Sequence, residues 1–135
     1  MTNRHDVRNY APRQDSVTAA RRRTAWLAVA WGYPEVSADA ALVTSELATN
    51  AILHGSVTDR LVRVEVSLSR SALRIAVSDP RGERHPIPRH AGPDDQFGRG
   101  LHIVEALSSR WAVTPRSVGK TTWAELPLSE RQSGP

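Results

Sequence analysis

The chain has 135 residues, 39% of them hydrophobic and 24% charged, a composition that fits one globular domain burying roughly two thirds of its unfolded surface. The absence of cysteine excludes disulfides, thiolate metal sites and cysteine nucleophiles. No apolar run approaches the ~18 residues of a membrane span and no signal-type apolar core opens the chain, so a cytoplasmic location is the expectation.

The net charge of +4 and pI near 10.6 come almost wholly from Arg, with Lys120 the single Lys. The one tight basic run, Arg21-Arg22-Arg23, points in three directions on a helix. A solvated helix face is therefore expected there in preference to a nucleic-acid surface, with acidic protein partners left open.

Residues 1–15 are polar and read as an N-terminal segment that frays or, over Val7 to Tyr10, adds an edge strand. Asp15 or Ser16 is the expected N-cap of a helix reaching about Trp31, because Val17, Ala20, Thr24, Leu27, Ala28 and Trp31 recur at helical spacing. Gly32-Tyr33-Pro34 ends it, since Gly suits the C-terminal cap and Pro blocks continuation. A second helix runs from about Ser37 to Gly55.

Leu61 to Leu68 alternates apolar and polar residues as a half-buried strand does, and Ser69-Arg70-Ser71 turns it into a partner strand over Leu73 to Asp79. Residues 80–97, with Pro80, Gly82, Pro86, Pro88, Gly92 and Pro93, fit neither helix nor central strand and read as a lid loop. Gly98-Arg99-Gly100-Leu101 opens a third helix carried by Leu101, Val104 and Leu107. Strands at Trp111 to Thr114 and Thr121 to Leu126 follow, joined by a turn at Pro115 to Gly119, before a polar tail over 129–135. Early helices and later strands predict an α+β fold with the helices on one face of a mixed, mostly antiparallel sheet.

The second helix carries the strongest chemical signal. Glu46, Asn50 and His54 lie four residues apart and share one stripe, surrounded by Leu42, Leu47, Ala48, Ala51, Ile52 and Leu53. An unpaired polar group buried there costs on the order of 2 kcal/mol, so a bound metal, water or phosphate is the expected partner. A carboxylate and an amide oxygen are hard ligands of the type that Mg²⁺ accepts. Asp79, at the end of a strand before Pro80-Arg81-Gly82, either starts a turn or accepts a hydrogen bond from an exocyclic amine such as that of adenine. Gly98-Arg99-Gly100 before a helix allows close approach of backbone N–H groups to phosphate oxygens, with the Arg99 fork in reach. It is neither a Rossmann fingerprint nor a P-loop, since no strand precedes it and no Gly-Lys-Ser/Thr follows. Gly119-Lys120-Thr121 reads alone as a tight turn.

Glu46-Leu-Ala-Thr-Asn50-Ala-Ile-Leu-His54-Gly55 resembles the N box of the GHKL (Bergerat-fold) ATPases, and residues 16–128 follow the order of that family's boxes. The likeness is greatest to small stand-alone serine-kinase-type anti-sigma factors and their actinobacterial relatives. The resemblance implies a two-layer α/β sandwich over 16–128 that binds ATP with Mg²⁺. It implies that Asn50 is the Mg²⁺ ligand, that Glu46 is the general base, and that Asp79 reads adenine with Thr121 behind it. Gly98, Arg99, Gly100 and Leu101 then fall at the phosphates and the lid hinge. His54 either faces the phosphates or serves as a helix-terminal His favoured by the dipole. Arg81 and Glu83 stand at the two glycine positions of the family's Asp-x-Gly-x-Gly box, which Gly82 partly offsets.

By the same resemblance the activity is phosphorylation of a serine or threonine on a STAS-type anti-sigma antagonist. Control of a sigma factor and a homodimer paired away from the nucleotide come with it. The alternative is a catalytically weak or silent ATP-binding regulatory module acting by protein–protein contacts. A helix-turn-helix DNA binder around Gly32-Tyr33-Pro34 is disfavoured, because the second helix carries Glu46 and apolar residues where base-reading side chains should cluster.

Overall fold

A computed structural model of the chain describes residues 4–55, 61–79, 96–115 and 119–129, and for 53–55, 79 and 96–100 the backbone alone. The expected lid over 80–95, including Arg81, Gly82 and Glu83, lies outside the described residues, as do 116–118 of the late turn and 130–135 of the tail. The described elements are β1 (His5–Tyr10), α1 (Gln14–Ala30), a 3-10 turn (Pro34–Val36), α2 (Ser37–Gly55), β2 (Val62–Leu68), β3 (Ala72–Asp79), α3 (Gln96–Leu107), β4 (Arg110–Pro115) and β5 (Lys120–Pro127).

The architecture is α+β: a five-stranded sheet in the order β1-β2-β3-β5-β4, antiparallel at every pairing, with helices packed on it. The alternation read in β2 is the reason for its placement. Val62, Val64 and Val66 face inward, and the register sets Val64 opposite Val77 and Val66 opposite Ile75. β3 sits at the centre of the sheet, where Leu73 and Ile75 are fully buried and oppose Leu126 and Ala124 of β5. Val43 and Leu47 of α2 and Val104 of α3 join them in one core.

The polar faces of the same strands form the other surface. There the guanidinium groups of Arg74 and Arg110 both reach the Trp123 ring, at 4.2 and 5.5 Å from its centre. Both arginines also donate to the Glu125 carboxylate, at 3.2 and 3.0 Å, and hold it below the usual carboxylate range.

Three local expectations are revised. α1 starts at Gln14, directly after the Pro12-Arg13 pair, with Arg13 at the cap position and no side-chain cap bond. Asp15 therefore lies in the first turn, where its charge favours the helix dipole, and Ser16, the third residue of the helix, is buried. α3 starts at Gln96, so Gly98, Arg99 and Gly100 lie inside its opening turns and residues 96–97 are helix in place of lid. Leu42, four residues before Glu46 and so on the same stripe, is 41% exposed, which turns that end of the stripe out of the core. The Gly32 reading holds: at φ +96° it closes α1, with Gly32 N–H donating to Val29 and Tyr33 N–H to Ala28.

Candidate nucleotide site

α2 is the hub of the molecule. It packs on α1, on α3, and on β3 and β5 of the sheet, so the described elements expected to carry a site residue adjoin it. Glu46 and Asn50 are one turn apart on this helix, about 6 Å along its axis. Glu46 is half-buried, and desolvation by that burial raises its carboxyl above the ordinary value.

Asn50 is 8% exposed, flanked by buried Leu47, Ala48 and Ala51, and its Nδ2 has no hydrogen-bond partner. A buried amide end left unpaired costs about 1–3 kcal/mol. A half-turn of the amide exchanges its oxygen and nitrogen, so the unpaired position can present an acceptor equally well. The amide is thus unpaired at one end, and with its oxygen turned there it fits a metal ligand. Among the described residues no three His, Cys, Asp or Glu side chains gather into a cage. A cation beside Asn50 would take most of its ligands from phosphate oxygens and water, the habit of Mg²⁺.

β3 and β5 end side by side at the edge of the core. Asp79 is paired by backbone with Lys120, and one residue in, Ser78 Oγ and Thr121 Oγ1 are hydrogen-bonded at 2.9 Å. The register sets Thr121 opposite Ser78, one residue in from Asp79, and strand alternation puts both hydroxyls on the sheet face that carries Trp123. Ser78 was not singled out from sequence, because its role depends on pairing with a strand more than forty residues away. The backbones of His54 and Asp79 end α2 and β3, and their side chains lie outside the described residues.

At α3, helix geometry leaves the N–H groups of the first four residues, Gln96 to Arg99, without acceptors inside the helix, a ready anion site. The N–H of Gly100 already falls in the helical ladder, and the Leu101 side chain packs against the core. A second feature that sequence reasoning missed is a cleft of about 480 Å³ between α1 and α2, lined by Val17, Thr18, Arg21, Ser45, Thr49 and Ile52. Ser45, Thr49 and Ile52 form their own stripe at helical spacing, turned by ~100° from Glu46 and Asn50.

A family model described as the histidine kinase-like ATPase domain matches residues 10–126. The chain is 38% identical over 74 residues to the uncharacterized protein SCO4941 of Streptomyces coelicolor, covering 53% of this chain and 70% of that protein. It is also similar to the histidine kinase domain of the blue-light activated histidine kinase of Erythrobacter litoralis EL346, with a TM-score of 0.52 and 28% identity. That match covers 73% of this chain, which spans about half (47%) of the solved chain.

Proposed function

The chain belongs to the histidine kinase-like ATPase domain family, and from that premise we propose that it is an ATP- and Mg²⁺-dependent serine/threonine protein kinase of the anti-sigma type. The observation that carries the reading is Asn50, a buried amide with an unpaired end one helical turn from a carboxylate of raised proton affinity. Bound Mg²⁺–ATP would supply the phosphoryl group and neutralise its charge.

Every other role falls to the chain itself. Asn50 would hold the cation through its amide oxygen. Glu46 takes the proton from the partner's serine or threonine hydroxyl as that oxygen bonds to the γ-phosphorus and ADP leaves. Its raised proton affinity makes it a stronger base for that step. Asp79 accepts from the adenine amine, with Thr121 fixing the strand end behind it. The opening turns of α3, with Gly98, Arg99 and Gly100, face the phosphates, joined by Gly82 after Asp79 and by His54 near the end of α2, while Leu101 anchors those turns to the core. Phosphoryl transfer needs little beyond such positioning and charge neutralisation. The acceptor is a STAS-type antagonist, the silenced partner a sigma factor, and the working form a cytoplasmic homodimer, all carried over from the resemblance in the N box.

One feature favours a second reading. Arg81 and Glu83 stand at the two glycine positions of the family's box after Asp79, where a residue with a Cβ lacks the backbone freedom of glycine. On that reading the chain is a weak or silent ATP-binding module that acts through protein contacts.

Titration of ATP into the chain, with and without Mg²⁺, separates the two. Wild type is expected to bind with Mg²⁺, Asn50→Ala to lose the Mg²⁺-dependent part, and Asp79→Asn to lose affinity at least tenfold. Glu46→Ala is expected to keep binding but not transfer. Wild type that ignores millimolar ATP would leave the protein-contact reading in place.

A further inference from the structure

The cleft of about 480 Å³ between α1 and α2 has the size of a small-molecule site, and its walls have the make-up of one. Val17 and Ile52 give it apolar surface, Thr18, Ser45 and Thr49 give it hydroxyls, and Arg21 brings the single charge of the lining.

Those polar groups are not used by the fold. Thr24, further along α1, donates its hydroxyl to the Ala20 carbonyl of its own helix at 3.0 Å. Thr18, Ser45 and Thr49 make no such side-chain bond among the described residues, so their hydroxyls are left to the cleft. Arg21 likewise pairs with no acid among the described residues, whereas Arg13, Arg23, Arg63, Arg74 and Arg110 all do.

The cleft has two unlike ends. The short link over 31–36 makes α1 and α2 run antiparallel, and counting outward from it sets Arg21 across from Ser45 and Thr18 across from Thr49. Val17 and Ile52 follow further out, Ile52 lying about 10 Å along the helix axis from Ser45. A cationic, hydroxyl-bearing end is thus joined to an apolar one.

Charge counting selects the ligand. One guanidinium balances one negative charge, and a carboxylate meets its fork with both oxygens. A phosphate ester carries about two negative charges, and no second cation lines the cleft to meet them. No acid lines it either. Asp15 is ~120° round α1 from Arg21, and Glu46 belongs to the neighbouring stripe of α2 outside the lining.

We infer that the α1–α2 cleft binds a small carboxylate with an apolar body, its head on Arg21 and Ser45 and its body on Val17 and Ile52. The site lies on a different stripe of α2 from Glu46 and Asn50 and does not rest on the nucleotide reading.

The test follows the amide chemical shifts of the isotope-labelled full chain during titration with hexanoate, acetate, hexylamine or hexyl phosphate. Hexanoate is expected to shift the amides of 17–21 and 45–52 saturably at about millimolar concentration. Acetate lacks the body and hexylamine the negative charge, and each is expected to bind at least about tenfold more weakly. Arg21→Gln is expected to weaken hexanoate about tenfold or more, and Ser45→Asp, which sets a carboxylate on Arg21, to abolish its binding. Neither position is buried, and far-UV circular dichroism verifies that both variants fold. The proposal is overturned if hexanoate leaves these amides unmoved at tens of millimolar, if acetate or hexylamine matches it, or if Arg21→Gln binds as wild type does. Tighter binding of hexyl phosphate would make this a site for phosphorylated ligands and refute the carboxylate. Mg²⁺–ATP that shifts the same amides and competes with hexanoate would make the cleft part of the nucleotide site, which refutes a separate ligand.

Discussion

Glu46 carries a stability consequence separate from any chemistry. The folded state holds its proton more tightly than the unfolded chain does, because burial disfavours the charged form. Its contribution to stability is therefore full below the ordinary carboxylate range and is lost as pH rises through the raised folded value. Glu46→Gln removes that loss. The variant is expected to melt higher than wild type near pH 7, by on the order of 2 °C, and alike near pH 3.5. Equal shifts at both pH values would assign the effect to shape and not to ionisation. Glu46 and Asn50 were legible as a pair because i to i+4 spacing alone puts two side chains on one face. The unpaired amide end was not legible, since it depends on what the neighbouring elements bring close.

Among elements, α1 shows where local sequence signals suffice and where they fail. Its end is written in one residue: Gly32 takes φ +96°, a conformation that costs a residue with a Cβ about 1 kcal/mol. A Cβ built there would meet nothing within 4 Å, so the penalty is one of backbone alone. Gly32→Ala is expected to lower stability by about 1 kcal/mol, read as a shifted urea midpoint with an unchanged slope. The start of α1 misled, because Asp15 and Ser16 are good caps in isolation. Pro12 fixes the chain entry earlier, and Ser16 is drawn into the buried face. The start of α3 moved for a similar reason: glycines mark flexibility, and here helix packing on α2 overrides it.

In the whole molecule, strand alternation and the bunching of helices before strands were enough for the layers, and the chain has the α+β sheet they predict. The order of strands was not readable, because β5 enters between β3 and β4 and no local signal encodes a pairing across such a separation. That pairing makes β3 the centre of a single core. Ile75→Ala, at a position with 0% exposure, is expected to cost about 3 kcal/mol. Circular dichroism and tryptophan fluorescence should report one coincident transition; an early separate loss of the helical signal would contradict a shared core.

The end of β3 at Asp79, paired with Lys120, also bears on how the length of such a chain can vary. After Asp79 the chain returns to the sheet as β4, on the other side of β5, so the connection that carries α3 is fixed at both ends to the same wall. Doubling the length of a flexible connection adds only about 0.6 kcal/mol of closure entropy. The stretch after Asp79 can therefore change in length at small cost, while the wall that holds the helix of Glu46 and Asn50 stays as it is.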